Sequence, residues 1–388
     1  MTLLADISVD VTESMLFGTD VTNSIDVPGL VASMLASGPG ISDIIFSPGR
    51  PPQVEKHGYL TAVEAQGLSI LVPADTAHIA KHFVTGNGQA LKTLQDHGAC
   101  DLSFSLPERA RFRVNIFRQR GSFAIVMRVI ATTIPTVASL NLPGSLSDVA
   151  KLKNGLVLVT GPTGSGKSST LAAIIDLINE TRAEHIITVE DPVEFLHLHK
   201  KGTVHQRELH SDTPTFALAL RAALRQAPKV ILVGEMRDRE TIEVALTAAE
   251  TGHLVFSTLH TIDASKTVER IIGSFDAGDQ HAIRARLAGC FRYIISQRLI
   301  PKKAGGRVAV LEILKATLRT RDYLAAGEGE GKTLLDAMMD GELDGMQYFD
   351  GEIERLVRAG EISLATGLTY ATNSGNLQVQ MADYQDQE

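Results

Sequence analysis

Apolar residues along the chain mark two kinds of segment that take turns. Leu156–Val159, Ile186–Val189, Val230–Val233 and Leu254–Ser257 are short continuous apolar runs, the mark of strands buried on both faces, and Val308–Ile313 follows in the same style. Between the runs, apolar residues fall at helical spacing, as at Leu171, Ile174, Ile175 and Ile178. This alternation over residues 151–312 predicts an α/β domain whose mainly parallel sheet is flanked by helices.

Residues 1–26 are polar and acidic without sustained periodicity, which predicts a flexible extension. Residues 27–134 predict a small α/β domain, with a helix around Val31 and Leu35, a turn between strands over the Pro/Gly-rich stretch 48–58, and a half-buried strand where Phe112, Val114 and Ile116 alternate. The stretch 135–150, with Pro143 and Gly144, reads as a linker. After Glu312 the pattern turns helical and acidic, giving a C-terminal helical region over 313–371 and a disordered tail over 372–388.

Composition agrees with two domains: 388 residues that are 44% hydrophobic bury one large core or two moderate ones. No apolar run approaches the roughly 20 residues that span a bilayer, so direct membrane insertion is not expected. The first 49 residues hold no Lys or Arg, unlike a secretory signal, so a cytoplasmic location is expected. Cys100 and Cys290 stand far apart, which excludes a thiolate zinc site and a disulfide framework. Residues 328–388 hold 13 acidic and 3 basic side chains, more than the whole chain's net charge of −8. Such a balance argues against sequence-independent nucleic-acid binding, and the basic pair Lys200 and Lys201 reads as a solvated loop.

One stretch carries explicit chemistry. In GLVLVTGPTGSGKS a buried-strand pattern runs into Gly161, Pro162, Thr163, Gly164, Ser165, Gly166, Lys167 and Ser168, filling every fixed position of G-x-x-x-x-G-K-[ST], with Ser169 next on the helix. The glycines let backbone N–H groups turn inward onto phosphates, the helix N-terminus adds unpaired donors, and Lys167 adds a full charge for the β- and γ-phosphates. Ser168 is placed to ligate magnesium, so ATP and Mg are the expected ligands. In such a sheet ligands sit at the carboxyl ends of strands, where Glu190 and Asp191, then Glu235, then His260 follow successive apolar runs. Hydrolysis needs a carboxylate to orient or deprotonate water, and Glu235 is the first choice; His260 is a candidate phosphate sensor, and His253 a second imidazole candidate at the nucleotide.

The strings GPTGSGKSST, ITVEDPVEF, VILVGEMRD and TAAETGHLVFSTLHT resemble the Walker A, Asp box, atypical Walker B and His box of secretion ATPases, in the retraction branch of type IV pilus motors formed by PilT and PilU. The resemblance extends through Ser42-Asp43-Ile44, Arg50-Pro51-Pro52, ARFRVNIFRQRGS, ISQRLI and GMQYFD, covering about residues 28–365, and the ending YATNSGNL resembles the PilU side. It implies a PAS-like N-terminal domain joined to a RecA-like ATPase domain, assembled as a homo-hexamer at the cytoplasmic face of the inner membrane. Carried over by position, Lys167 and Ser168 hold phosphate and magnesium, Glu190 supports the metal site, Glu235 is the catalytic glutamate and His260 reports on the γ-phosphate. Arg111, Arg113 and Arg128 fall where the family brings positive charge to nucleotide at a domain or subunit boundary. The implied function is a motor that retracts type IV pili through an inner-membrane platform protein, with a paralogous retraction ATPase as a further partner. The run Arg225-Gln226-Ala227-Pro228-Lys229 departs from the family's acidic pattern, which keeps open a nucleotide-switched accessory ring with weak turnover. A type IV secretion or conjugation ATPase is the other alternative.

Overall fold

A computed structural model describes residues 16–17, 25–56, 59–107, 109–130 and 133–384. The extension expected at 1–26 lies almost wholly outside the described residues. The chain divides into two units, 1–132 with 194–196, and 133–193 with 197–388.

In the first unit, β5 (Ala110–Gln119) turns Phe112, Val114 and Ile116 onto one face because successive side chains point to opposite sides of a strand. It joins β1 (Ile41–Phe46), β2 (Gln53–Lys56), β3 (Tyr59–Ala62), β4 (Ala99–Leu106) and β6 (Ser122–Ile130) in an antiparallel sheet of order β3-β2-β1-β6-β5-β4. The stretch expected as a turn at 48–58 therefore contains a strand. Helices Val27–Leu35, Pro73–Val84 and Gly88–His97 cover the sheet's apolar face, where Leu30, Met34, Ile79 and Leu94 meet Ile44, Phe46 and Phe112.

The second unit is built on a seven-stranded sheet of β7 (Gly155–Thr160), β8 (His185–Glu190), β9 (Thr203–Glu208), β10 (Val230–Val233), β11 (Leu254–Leu259), β12 (Phe291–Pro301) and β13 (Arg307–Lys315), in the order β13-β12-β7-β11-β10-β8-β9. All neighbours run parallel except β12 and β13. Leu156 and Leu158 point into one core with Ile231 and Val233, while Val157 and Val159 point into another with Val230 and Leu232. Burial on both faces is why these strands read as continuous apolar runs, each such side chain contributing roughly 1.5–3 kcal/mol.

Several expectations need correction. The run Val308–Ile313 does not extend the parallel pattern, because β13 follows β12 through a short turn at Gly305 and Gly306, both at positive φ, and a tight hairpin joins antiparallel strands. The linker read over 135–150 belongs to the second unit's core from Leu142 on, since Leu142 and Leu146 pack beside Val157 and Ile174. The tail at 372–388 is not disordered through its described residues: Ser374–Gln380 is a helix capped by Asn373, and Leu377 and Met381 are buried against Ile300, Val310 and Phe349. A helix of about two turns carrying two apolar side chains four residues apart suffices to dock when a groove awaits it, although its composition is polar. Lys200 is also more than a solvated charge, for its Nζ donates to Asp176 at 2.7 Å and Glu180 at 2.6 Å on the helix Lys167–Thr181. Among the described residues no helix is long and apolar enough to cross a membrane.

Candidate active site

The loop Gly161–Gly166 leaves β7 at its carboxyl end and enters the helix Lys167–Thr181. Gly166 at φ 90° occupies the N-cap without any side-chain cap, so the first N–H groups of a 15-residue helix remain available to a ligand. Gly161, at φ 141°, passes so close to the Gln297 carbonyl that no Cβ fits there. Ser165 is buried, its hydroxyl without a hydrogen-bond partner, whereas Ser168 is exposed on the first helical turn.

Lys167 is 8% exposed, and its Nζ donates to the carbonyls of Gly161 at 2.8 Å and Pro162 at 3.1 Å. Burial pushes the amine below its usual pKa, opposed by the nearby Glu235 carboxylate. His260, just past β11, brings Nδ1 within 3.4 Å of Lys167 Nζ and Nε2 within 3.5 Å of Glu235 Oε1. Glu235, just past β10, also pairs with Arg237, whose pKa its hydrogen bond and charge raise. Thr258 fixes this turn from the neighbouring strand by donating to the Gly234 carbonyl at 2.6 Å. Three of the sequence-predicted residues therefore form a contact chain beside the loop through His260, although they follow three separate strands.

Glu190 stands farther along the same edge, at the end of β8, where Oε1 accepts from Thr188 at 2.7 Å and Gln206 at 3.1 Å. His253 does not join the cluster. It precedes β11, its Nδ1 is 3.0 Å from the Ala248 carbonyl, and its own carbonyl accepts from Gly155, the first residue of β7, so six residues of strand separate it from the loop's edge. Ala227 and Lys229 lie at that same far edge, before β10, so the departure around Pro228 does not touch the loop. Arg111, Arg113 and Arg128 belong to the first unit. Arg113 and Arg128 face each other across β5 and β6, with Arg128 3.1 Å from Asp43 and Arg113 3.8 Å from Asp101.

Gln297 was missed as a site residue. Buried on β12, it accepts from Thr170 Oγ1 at 2.8 Å and donates to the Ser165 carbonyl at 2.7 Å, propping the loop against the helix that follows it. Its sequence signals are its place in the ISQRLI string and the polar pair Ser296 and Gln297 between the apolar residues Ile294, Ile295, Leu299 and Ile300.

The donor set fits a polyphosphate: uncapped helix N–H groups, a desolvated cation beside carbonyls and an imidazole, and an unpartnered hydroxyl lie together at the carboxyl end of β7. Among the described residues no group of three or more His, Cys, Asp and Glu could hold a metal alone, so a magnesium ion here requires phosphate oxygens besides Ser168.

Residues 95–332 match the family described as Type II/IV secretion system protein. The chain is 43% identical over 325 residues to the type IV pilus retraction ATPase PilT of Pseudomonas aeruginosa, a match spanning 84% of this chain and 92% of that protein. It is 38% identical over 342 residues to the type IV pilus ATPase PilU of the same organism, spanning 88% and 87%. A crystal structure of the pilus retraction motor PilT with bound ADP superposes with a TM-score of 0.80 at 39% identity, covering 92% of this chain and 100% of that one.

Proposed function

The chain belongs to the type II/IV secretion ATPase family, among relatives of PilT and PilU, and from that premise we propose that it is a hexameric cytoplasmic motor coupling ATP hydrolysis to type IV pilus retraction. It is an ATPase. The observation that supports the reading is the contact chain Lys167–His260–Glu235 beside the uncapped helix, a cation, an imidazole and a carboxylate of the kind a terminal phosphate and its attacking water need.

In this reading loop N–H groups and Lys167 bind the β- and γ-phosphates, and Ser168 holds magnesium with Glu190 supporting it from the sheet edge. Magnesium, when bound, supplies charge that offsets the phosphates. Glu235 orients water and accepts its proton; His260, bridging Glu235 and Lys167, reports whether the γ-phosphate is present. Arg111, Arg113 and Arg128 supply further positive charge across a domain or subunit boundary, which suits a forked, permanently charged side chain. The antiparallel sheet of the first unit supports a PAS-like domain. The partners are identical subunits, an inner-membrane platform protein and a paralogous retraction ATPase, and the ring sits peripherally at the membrane base of the pilus machine.

The test is motility in a bacterium carrying this gene. Its deletion should leave surface pili but abolish twitching, restored by the intact chain and not by Lys167→Ala. Loss of pili altogether would instead mark an assembly motor. Light scattering of the purified chain with nucleotide should give a hexamer.

A further inference from the structure

The chemistry above leaves several buried ionisable groups unused, Glu312 among them. Glu312, on β13, is 5% exposed. Its Oε1 accepts from the backbone N–H of Ala264 at 2.7 Å and from Ser296 Oγ at 3.3 Å, while Ser296 Oγ accepts from Thr160 Oγ1 at 3.1 Å. Ser296 lies opposite both Glu312 and Thr160 in the sheet, so the three form one polar line across β13, β12 and β7.

The two ends of that line matter. Thr160 is the last residue of β7, directly before Gly161 of the phosphate loop. Ala264 opens the helix Ala264–Ile272, reached from β11 through His260–Asp263 alone. One carboxyl group thus ties the strand that delivers the loop to the segment that delivers the imidazole. We propose that Glu312 is a positioning residue for ATP turnover, holding the His260–Asp263 segment in register with the strand that carries the phosphate loop. The proposal rests on turnover taking place at this loop.

Its charge is part of the device. Burial pushes the carboxyl up to about 7, and Asp263 adds to that, while the Ala264 N–H, Arg298 and Ser296 oppose it. Glu312 lines a cavity of about 220 Å³ together with Asp263, Lys266, Tyr348 and Asp350. Above neutrality the ionised carboxylate accepts from the helix N-terminus with full charge, which is the stronger hydrogen bond. Folding draws the opposite benefit. Between the ordinary carboxylate value of 4.5 and about 7 the folded chain holds a proton that the unfolded chain has lost, so this group's contribution to stability falls as pH rises through that window.

The test compares the full-length wild type with Glu312→Gln and Ser296→Ala, measuring kcat, KM and melting temperature from pH 6 to 8.5. Wild-type kcat should rise through about pH 7. Glu312→Gln should lose that limb and about tenfold in kcat at pH 8, with KM within roughly threefold and a melting temperature no lower than wild type. Ser296→Ala, which keeps the Ala264 bond, should retain the limb and lose roughly two- to fivefold in kcat. Wild-type kcat and an unchanged limb in Glu312→Gln overturn the proposal, and so does a fall in its melting temperature that accounts for the lost activity. Should that variant not fold, an unchanged kcat in Ser296→Ala overturns it alone. A wild-type chain without ATP turnover at any pH would instead sink the functional reading.

Discussion

Lys167 Nζ and His260 Nδ1 stand 3.4 Å apart, joining residues 93 positions distant in sequence across two neighbouring strands. The buried amine donates to the Gly161 and Pro162 carbonyls and lies beside this imidazole, with Glu235 behind the imidazole. In the function proposed, a phosphate at this loop would give Lys167 a stronger partner and change what His260 faces.

Lys167→Ala should abolish ATP turnover and weaken nucleotide binding, because the β- and γ-phosphates lose the one full positive charge in the loop. Fluorescent-nucleotide titration with a steady-state assay checks it. Wild-type turnover in the variant would remove the phosphate-loop assignment.

Glu235→Gln should keep ATP binding and slow hydrolysis by about 10²–10⁴, the scale of losing a general base. The swap also releases the pair with Arg237, so the turn after β10 should loosen while the fold, held by Thr258, survives. If Glu190→Gln is crippled while Glu235→Gln turns over normally, the two roles are exchanged.

Gln297→Leu should weaken both fold and nucleotide binding. It leaves the Ser165 carbonyl and the Thr170 hydroxyl without their buried partner, at roughly 1–3 kcal/mol for each unsatisfied group. Chemical denaturation and ADP titration should move together, and an unchanged ADP affinity would show that the loop keeps its shape without this prop.

Truncation after Ala371 should destabilise the second unit. It removes Leu377 and Met381 from Phe349, Ile353 and Leu356, and large buried side chains of this kind cost about 2–5 kcal/mol each when cut to alanine. The melting temperature should fall in the truncated chain.

The acidic excess over residues 328–388 predicts a solvated face that steers toward a basic partner surface such as the proposed platform protein. Replacing exposed Glu342, Asp344 and Glu361 by Gln leaves the core intact, and should spare ATP turnover while weakening retraction and making platform binding less sensitive to salt. Full twitching in a complemented deletion strain would mean that these charges serve solubility alone.

The sequence by itself determined what depends on residue type at short range. The apolar runs named β7, β8, β10 and β11, the glycines and Lys167 named the loop, and a position just past a strand named Glu190, Glu235 and His260, because in a parallel sheet every strand end of one kind lies on one edge. The same rule placed just before β11 already sets His253 on the other edge. What only the tertiary structure decided was strand order and the fate of polar residues inside buried segments. β9 is a polar edge strand and β12 is interrupted by Arg292, Ser296, Gln297 and Arg298, so neither carries an apolar run to read. Gln297 meets Ser165 across 132 residues, and Glu312 meets Ala264 across 48. A buried polar side chain must find a hydrogen-bond partner, but periodicity along the chain says nothing of which strand will lie beside it. The helix at Ser374–Gln380 makes the same point with apolar contacts, since Leu377 becomes core only where Phe349 and Ile300 leave it a place.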